Sequence, residues 1–126
     1  MQEETKKRLI LVVEDDADSR MAICAILEGL GFDHLSFSGA QEALQGIKGV
    51  KLDLALLDIM MPGMNGYELL KEIRAIEEFK SLPIFMVTAK DQDNEIIDGF
   101  NYGADYYITK PFNTKQLEYG LKLFLV

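Results

Sequence analysis

Residues 9–16 read Leu-Ile-Leu-Val-Val-Glu-Asp-Asp, five apolar residues in a row that stop abruptly at three acids. A run this short, apolar at every position, fits a strand covered on both faces, which is the condition of strands in a parallel sheet. The pattern returns further along the chain. Leu54-Ala55-Leu56-Leu57 closes on Asp58, Pro83-Ile84-Phe85-Met86-Val87 closes on Thr88, and Tyr106-Tyr107-Ile108 leads to Lys110-Pro111. A weaker strand spans His34 to Phe37.

Amphipathic stretches separate these runs. Ile23, Ile26, Leu27 and Leu30 fall at i, i+3, i+4 and i+7 of a first helix, with Asp16 as its N-cap and Gly31 as its stop. Ser38 with Gln41 reads as a capping box for a second helix through Lys48, and Asn65 with Glu68 starts a third that runs to about Ile76. Asp91 or Asp93 begins a fourth helix ending near Gly103; Asn113 begins a last one carrying Leu117, Leu121 and Phe124 on one face. Five strand–helix units of this kind give an α/β fold: a parallel sheet with right-handed crossovers and helices on both faces. The winding must reverse within such a sheet, which opens a crevice at the carboxyl ends of the strands.

The composition sets limits. The chain has 126 residues and reads as a single domain. Thirteen basic residues against 21 acidic ones leave a net charge of −8, a balance that disfavours direct binding to nucleic acid or to an anionic membrane. One cysteine, Cys24, excludes an internal disulfide and a thiolate zinc site, and one histidine, His34, excludes a His-rich metal centre. Apolar runs of about five residues are far too short to span a bilayer, and the polar stretch from Met1 to Arg8 does not resemble a targeting segment. A cytoplasmic location is the expectation. Leu121 to Val126 is apolar and lacks a stop signal, which suggests a chain cut from a longer protein.

The residues that end the strands collect at one sheet edge: Glu14 and Asp15, Asp58, Thr88, and Lys110. Strand two ends at Phe37-Ser38 without such a group, as suits an edge strand away from the site. Three carboxylates at close quarters repel one another, and one stays protonated until a cation arrives. Oxygen ligands without His or Cys select a hard cation, and Mg²⁺ fits best. A carboxylate beside Mg²⁺, an ammonium and a hydroxyl suits phosphoryl transfer, with Asp58 as nucleophile and Lys110 and Thr88 toward the equatorial oxygens.

Glu14-Asp15 after an apolar strand, Asp58-Ile59-Met60-Met61-Pro62-Gly63-Met64-Asn65-Gly66, Val87-Thr88-Ala89 and Tyr107-Ile108-Thr109-Lys110-Pro111-Phe112 together resemble the receiver domain of two-component response regulators, from about Arg8 to Val126. The resemblance implies a flavodoxin-like doubly wound (βα)₅ fold with strand order 2-1-3-4-5. It implies that Asp58 accepts a phosphoryl group from a sensor histidine kinase or a His-phosphotransfer protein. Asp15, Asp58 and the backbone carbonyl of Met60 would hold Mg²⁺ (or Mn²⁺), with Glu14 acting through a bound water. Thr88 and Tyr107 would form the switch, Lys110 would pair with the phosphoaspartate, and the Lys110-Pro111 bond would be cis. The face made by the fourth helix, fifth strand and fifth helix would signal to a target protein or an output domain. Met60 and Lys90 would tune dephosphorylation. Asp105 and Lys115 lie where DNA-binding members of the family make dimer salt bridges, but the match is partial and carries no expectation of a dimer.

Plainer readings compete at single positions. Met60, Met61 and Met64 beside Pro62 are expected to pack locally, Cys24 to flank the buried stripe of its helix, His34 to be solvated, and Glu77-Glu78 to be a charged helix end. Three other functions compete with a phosphorylation switch. A phosphatase like the haloacid dehalogenases would carry its nucleophile after the first strand, where Glu14-Asp15-Asp16 stands. A flavin carrier would need a phosphate-cradling loop there instead of acids. A docking domain that has lost its site would not keep the full set of residues. A phosphorylation switch, with no turnover chemistry beyond its own phosphorylation and dephosphorylation, remains.

Overall fold

Strands form where the apolar runs lie, because each run is buried on both sides. The computed structural model describes residues 7–89 and 103–125. Over these, β1 (Leu9–Val13), β2 (Asp33–Phe37), β3 (Leu54–Asp58), β4 (Ile84–Ala89) and β5 (Tyr106–Lys110) make one sheet in the order β2-β1-β3-β4-β5. All four neighbouring pairs are parallel. The sequence of strands 2-1-3-4-5 is the doubly wound order that the resemblance implied, and it places the winding reversal between β1 and β3.

The helices are α1 (Ala17–Gly29), α2 (Ala40–Gly46), α3 (Gly66–Arg74) and a C-terminal helix (Thr114–Phe124), with a 3₁₀ turn at Glu77–Phe79. The two-residue period of the strands sorts the core into two layers. Leu11 and Val13, Ala55 and Leu57, and Ile84 and Met86 face α2 and α3. Ile10 and Val12, Leu54 and Leu56, and Phe85 and Val87 face α1 and the C-terminal helix, where Ile23, Leu27, Leu117 and Leu121 meet them. Cys24 packs at the margin of this second layer, as its helix position predicts.

Capping chemistry fixes most helix starts. Asp16 accepts a hydrogen bond from the Ser19 amide at the head of α1. Asn65 and Glu68, and Asn113 and Gln116, each form a complete capping box. The Ser38–Gln41 box does not form. The helix instead starts after Gly39, which has no side-chain cap, and it ends at Gly46 rather than Lys48. Ala40, Ala43 and Ile47 share the face that turns into the core, with Ile47 as the C-cap. The third helix likewise stops at Arg74, and Glu77-Glu78 belong to the 3₁₀ turn.

Three single-residue readings need amendment. His34 is half-buried, its Nε2 2.7 Å from Glu28 Oε2, so the edge strand is tied to α1 instead of solvated. Met61 and Met64 pack into the core as expected, but Met60 is 60% exposed, because it lies beyond the end of β3. Asp105 accepts from Arg74 Nη2 at 2.8 Å and from the Ile84 amide at 2.8 Å, an internal tie from α3 to the bases of β4 and β5. Lys90 and residues 91–102 of the helix expected to end near Gly103 lie outside the described residues.

Candidate functional site

Strand period and strand order together assemble the site. Glu14 continues the parity of Ile10 and Val12, Asp58 that of Leu54 and Leu56, and Lys110 that of Ile108, all residues of the α1 side. Thr88 continues the parity of Ile84 and Met86 on the opposite side. The ladder extends one residue beyond β1 and β3: the Glu14 amide donates to Phe37 O at 3.1 Å, and the Ile59 amide to Val87 O at 3.1 Å. These bonds hold the carboxylates at fixed height on the sheet edge. Glu14, Asp58 and Thr88 are only 1%, 6% and 1% exposed.

Glu14, Asp15 and Asp58 each present a ligand atom within 4.8 Å of the others, Asp15 being exposed and the other two buried. Lys110 reaches across the end of β4 to this group. Its Nζ lies 2.7 Å from Glu14 Oε1 and 3.7 Å from Asp58 Oδ1. The other Glu14 oxygen, Oε2, accepts from the Asp16 amide at 3.2 Å. The chain thus pairs its ammonium with Glu14 first, a preference that sequence order could not reveal. Arg20, in the first turns of α1, donates to the Glu14 carbonyl at 2.8 Å. It was not among the expected site residues; its only signal is its place one helical turn after the Asp16 cap.

The charges follow from this crowding. Burial pushes the Asp58 carboxyl up to about 7, and hydrogen bonding to Glu14, the Glu14 charge and the Asp15 charge act the same way, against the pull of Lys110. Burial alone would lower the Lys110 ammonium. The hydrogen bond to Glu14 and the charges of Asp58, Glu14 and Asp15 outweigh it and hold the ammonium above its ordinary value. An acid held half-protonated beside two other acids is the electrostatic state that a hard cation relieves. The donor set, oxygen throughout, fits such a cation.

The loop from Ile59 to Asn65 is pinned at both ends. The Gly66 amide donates to Ile59 O at 3.0 Å, and Gly63 occupies the left-handed region at φ 78°. At Gly66 an added Cβ would stand 2.4 Å from the Asp58 carbonyl oxygen, so the first residue of α3 rests on the backbone of Asp58 itself. The Lys110–Pro111 peptide is cis, as expected. Tyr107, also expected at the site, is half-buried on the α3 side of the sheet, with its hydroxyl 3.4 Å from that of Tyr67.

Residues 10–122 match the family model described as the response regulator receiver domain. The DNA-binding response regulator MtrA of Mycobacterium tuberculosis (strain ATCC 25618 / H37Rv) is 40% identical over 114 residues, covering 90% of this chain and 49% of its own. The phosphate regulon transcriptional regulatory protein PhoB of Pseudomonas aeruginosa is 41% identical over 118 residues, covering 94% of this chain and 52% of its own. The chain therefore spans about half the length of these relatives. Among solved structures, the chemotaxis protein CheY4 of Vibrio cholerae superposes with a TM-score of 0.90 at 28% identity, covering 95% of this chain and all of that one. The receiver domain of the sensor histidine kinase PA1611 from Pseudomonas aeruginosa, solved with a magnesium ion coordinated in its active site cleft, superposes at 0.87 and 28% identity, covering 94% of this chain and 98% of that one.

Proposed function

Since the chain belongs to the family of response regulator receiver domains, we propose that it is a phosphoacceptor switch in which Asp58 takes the phosphoryl group. The convergence of Glu14, Asp15, Asp58, Thr88 and Lys110 on one sheet edge carries this reading. The donor is a phosphohistidine on a sensor histidine kinase or a phosphotransfer protein. Its phosphorus–nitrogen bond breaks as the bond from phosphorus to a carboxylate oxygen of Asp58 forms, and the released imidazole takes up a proton. Asp15, Asp58 and the backbone carbonyl of Met60 would hold Mg²⁺, or Mn²⁺ in its place, with Glu14 assisting less directly. When bound, the ion offsets the charge of the acids and of the phosphoryl oxygens.

The remaining work falls to the chain's own side chains. Asp58 must ionise to attack, and Lys110 assists because its ammonium is already 3.7 Å away. Once Asp58 carries the added charge of a phosphoryl group, Lys110 is drawn from Glu14 toward it. Thr88, buried at the end of β4, offers its hydroxyl to a phosphoryl oxygen, and Tyr107 follows the space that Thr88 vacates. The altered face, built on β5 and the helices beside it, meets a target protein or an output domain. The domain turns over nothing except its own phosphoryl group, binds neither nucleic acid nor membrane directly, and works in the cytoplasm as one unit with its core over about residues 8–126. Among the described residues no helix is long and apolar enough to cross a membrane.

Incubation with acetyl phosphate and Mg²⁺ is expected to add one phosphoryl group to the intact mass, and Asp58→Asn to abolish the gain. An unchanged mass for the wild-type chain would overturn the reading.

A further inference from the structure

The start of α3 touches the site at one end and β5 at the other. Gly66 packs on the Asp58 carbonyl so closely that no Cβ fits between them. The next residue, Tyr67, is 8% exposed and sits in the core layer under α3. Its hydroxyl accepts from that of Tyr107, 40 residues later, at 3.4 Å. A buried tyrosine hydroxyl needs a polar partner. At 3.4 Å the pair is longer than the usual O–H···O range of about 2.5–3.0 Å.

We propose that Tyr67 is a positioning residue that holds Tyr107 in its half-buried place and ties it to the backbone of Asp58. Any displacement of the Asp58 carbonyl presses on Gly66, turns the first residues of α3, and moves the Tyr67 hydroxyl against Tyr107. This path runs through α3 and does not need Thr88. Its second half, the link to phosphorylation, rests on Asp58 being the phosphoacceptor; its first half, the hold on Tyr107, does not.

The test uses the full chain with 3-fluorotyrosine at its five tyrosines, read by fluorine NMR, with the Tyr107 signal assigned by Tyr107→Phe. In unphosphorylated Tyr67→Phe, the Tyr107 signal is expected to move toward the solvent-exposed position, with a solvent isotope shift enlarged about twofold as the ring leaves its partner. The reciprocal Tyr107→Phe is expected to displace the Tyr67 signal, so the proposal stays testable if one variant folds poorly. With acetyl phosphate and Mg²⁺, Tyr67→Phe is expected to gain the same phosphoryl mass as the wild type while the accompanying shift at Tyr107 falls by about half or more. A Tyr107 signal identical in wild type and Tyr67→Phe would overturn the proposal. A wild-type chain that gains no mass would sink the phosphoacceptor reading instead, and the unphosphorylated comparison would still decide the role of Tyr67.

Discussion

Asp58 sits under two opposed demands. As the proposed phosphoacceptor its carboxyl must be charged to react, yet burial and the neighbouring Glu14 and Asp15 push it up to about 7. Its stability effect follows from that direction. The folded chain keeps a proton on Asp58 over a range where the unfolded chain, with an ordinary carboxylate near 3.9, has lost it. Stability therefore declines as pH rises from about 4 to about 7, and the full cost is present above 7. Without divalent cation, Asp58→Asn is expected to raise the unfolding free energy by roughly 1–3 kcal/mol at pH 8 and by little at pH 4. Urea melts at both pH values check this, and a variant no more stable than wild type at pH 8 would contradict it. At this scale Glu14, Asp58, Thr88 and Lys110 could be placed at one edge directly, because each stands at the end of an apolar run, whereas Met60 and Tyr107 entered only through the resemblance. The pairing among the edge residues could not be read in that way. Lys110 prefers Glu14 to Asp58 because of how far a four-carbon arm reaches across β4, and that distance has no counterpart in residue order.

Among the elements, α3 is the one most tightly bound to the site, through contact of backbone with backbone at Gly66. Gly66→Ala would bring a methyl group to 2.4 Å from the Asp58 oxygen, and neither partner is a flexible side-chain end. The variant is expected to lose about 2 kcal/mol or more of stability, in the upper range for overpacked positions. It is also expected to be phosphorylated by acetyl phosphate more slowly than wild type, as timed by intact mass. Equal stability and rate would show that the helix start is free to shift. The elements themselves were legible where burial was continuous: β1, β3 and β4 stand where their apolar runs lie, and the Asn65 and Asn113 caps form as their sequences predict. The Ser38–Gln41 cap does not form, and the helix starts one residue later, after Gly39. A cap contributes only about 1 kcal/mol, too little for a two-residue motif to fix where a helix begins.

For the molecule as a whole, the acidic cluster makes folding and cation binding one linked equilibrium. A cation that binds only the folded chain stabilises it by about 2.7 kcal/mol when its free concentration is about 100 times the dissociation constant. For a domain of this size that is a rise in Tm of roughly 10 °C. Thermal melts with increasing MgCl₂ at fixed ionic strength are expected to show such a rise, reversed by EDTA and much reduced in Asp15→Asn. A Tm indifferent to Mg²⁺ would leave the cluster without its cation. The strand order was legible from the resemblance of five motifs rather than from any one run, since pairing partners along a parallel sheet are set by tertiary packing.

The contact between Glu14 and Lys110 closes across 96 residues. A nascent polypeptide leaving the ribosome has its acids in hand long before its lysine, and the lysine reaches them only when the last strand docks. The acidic group therefore gains its ammonium only when β5 pairs with β4, in one step with completion of the sheet. A copy whose fifth strand has come away keeps three crowded acids with no ammonium beside them.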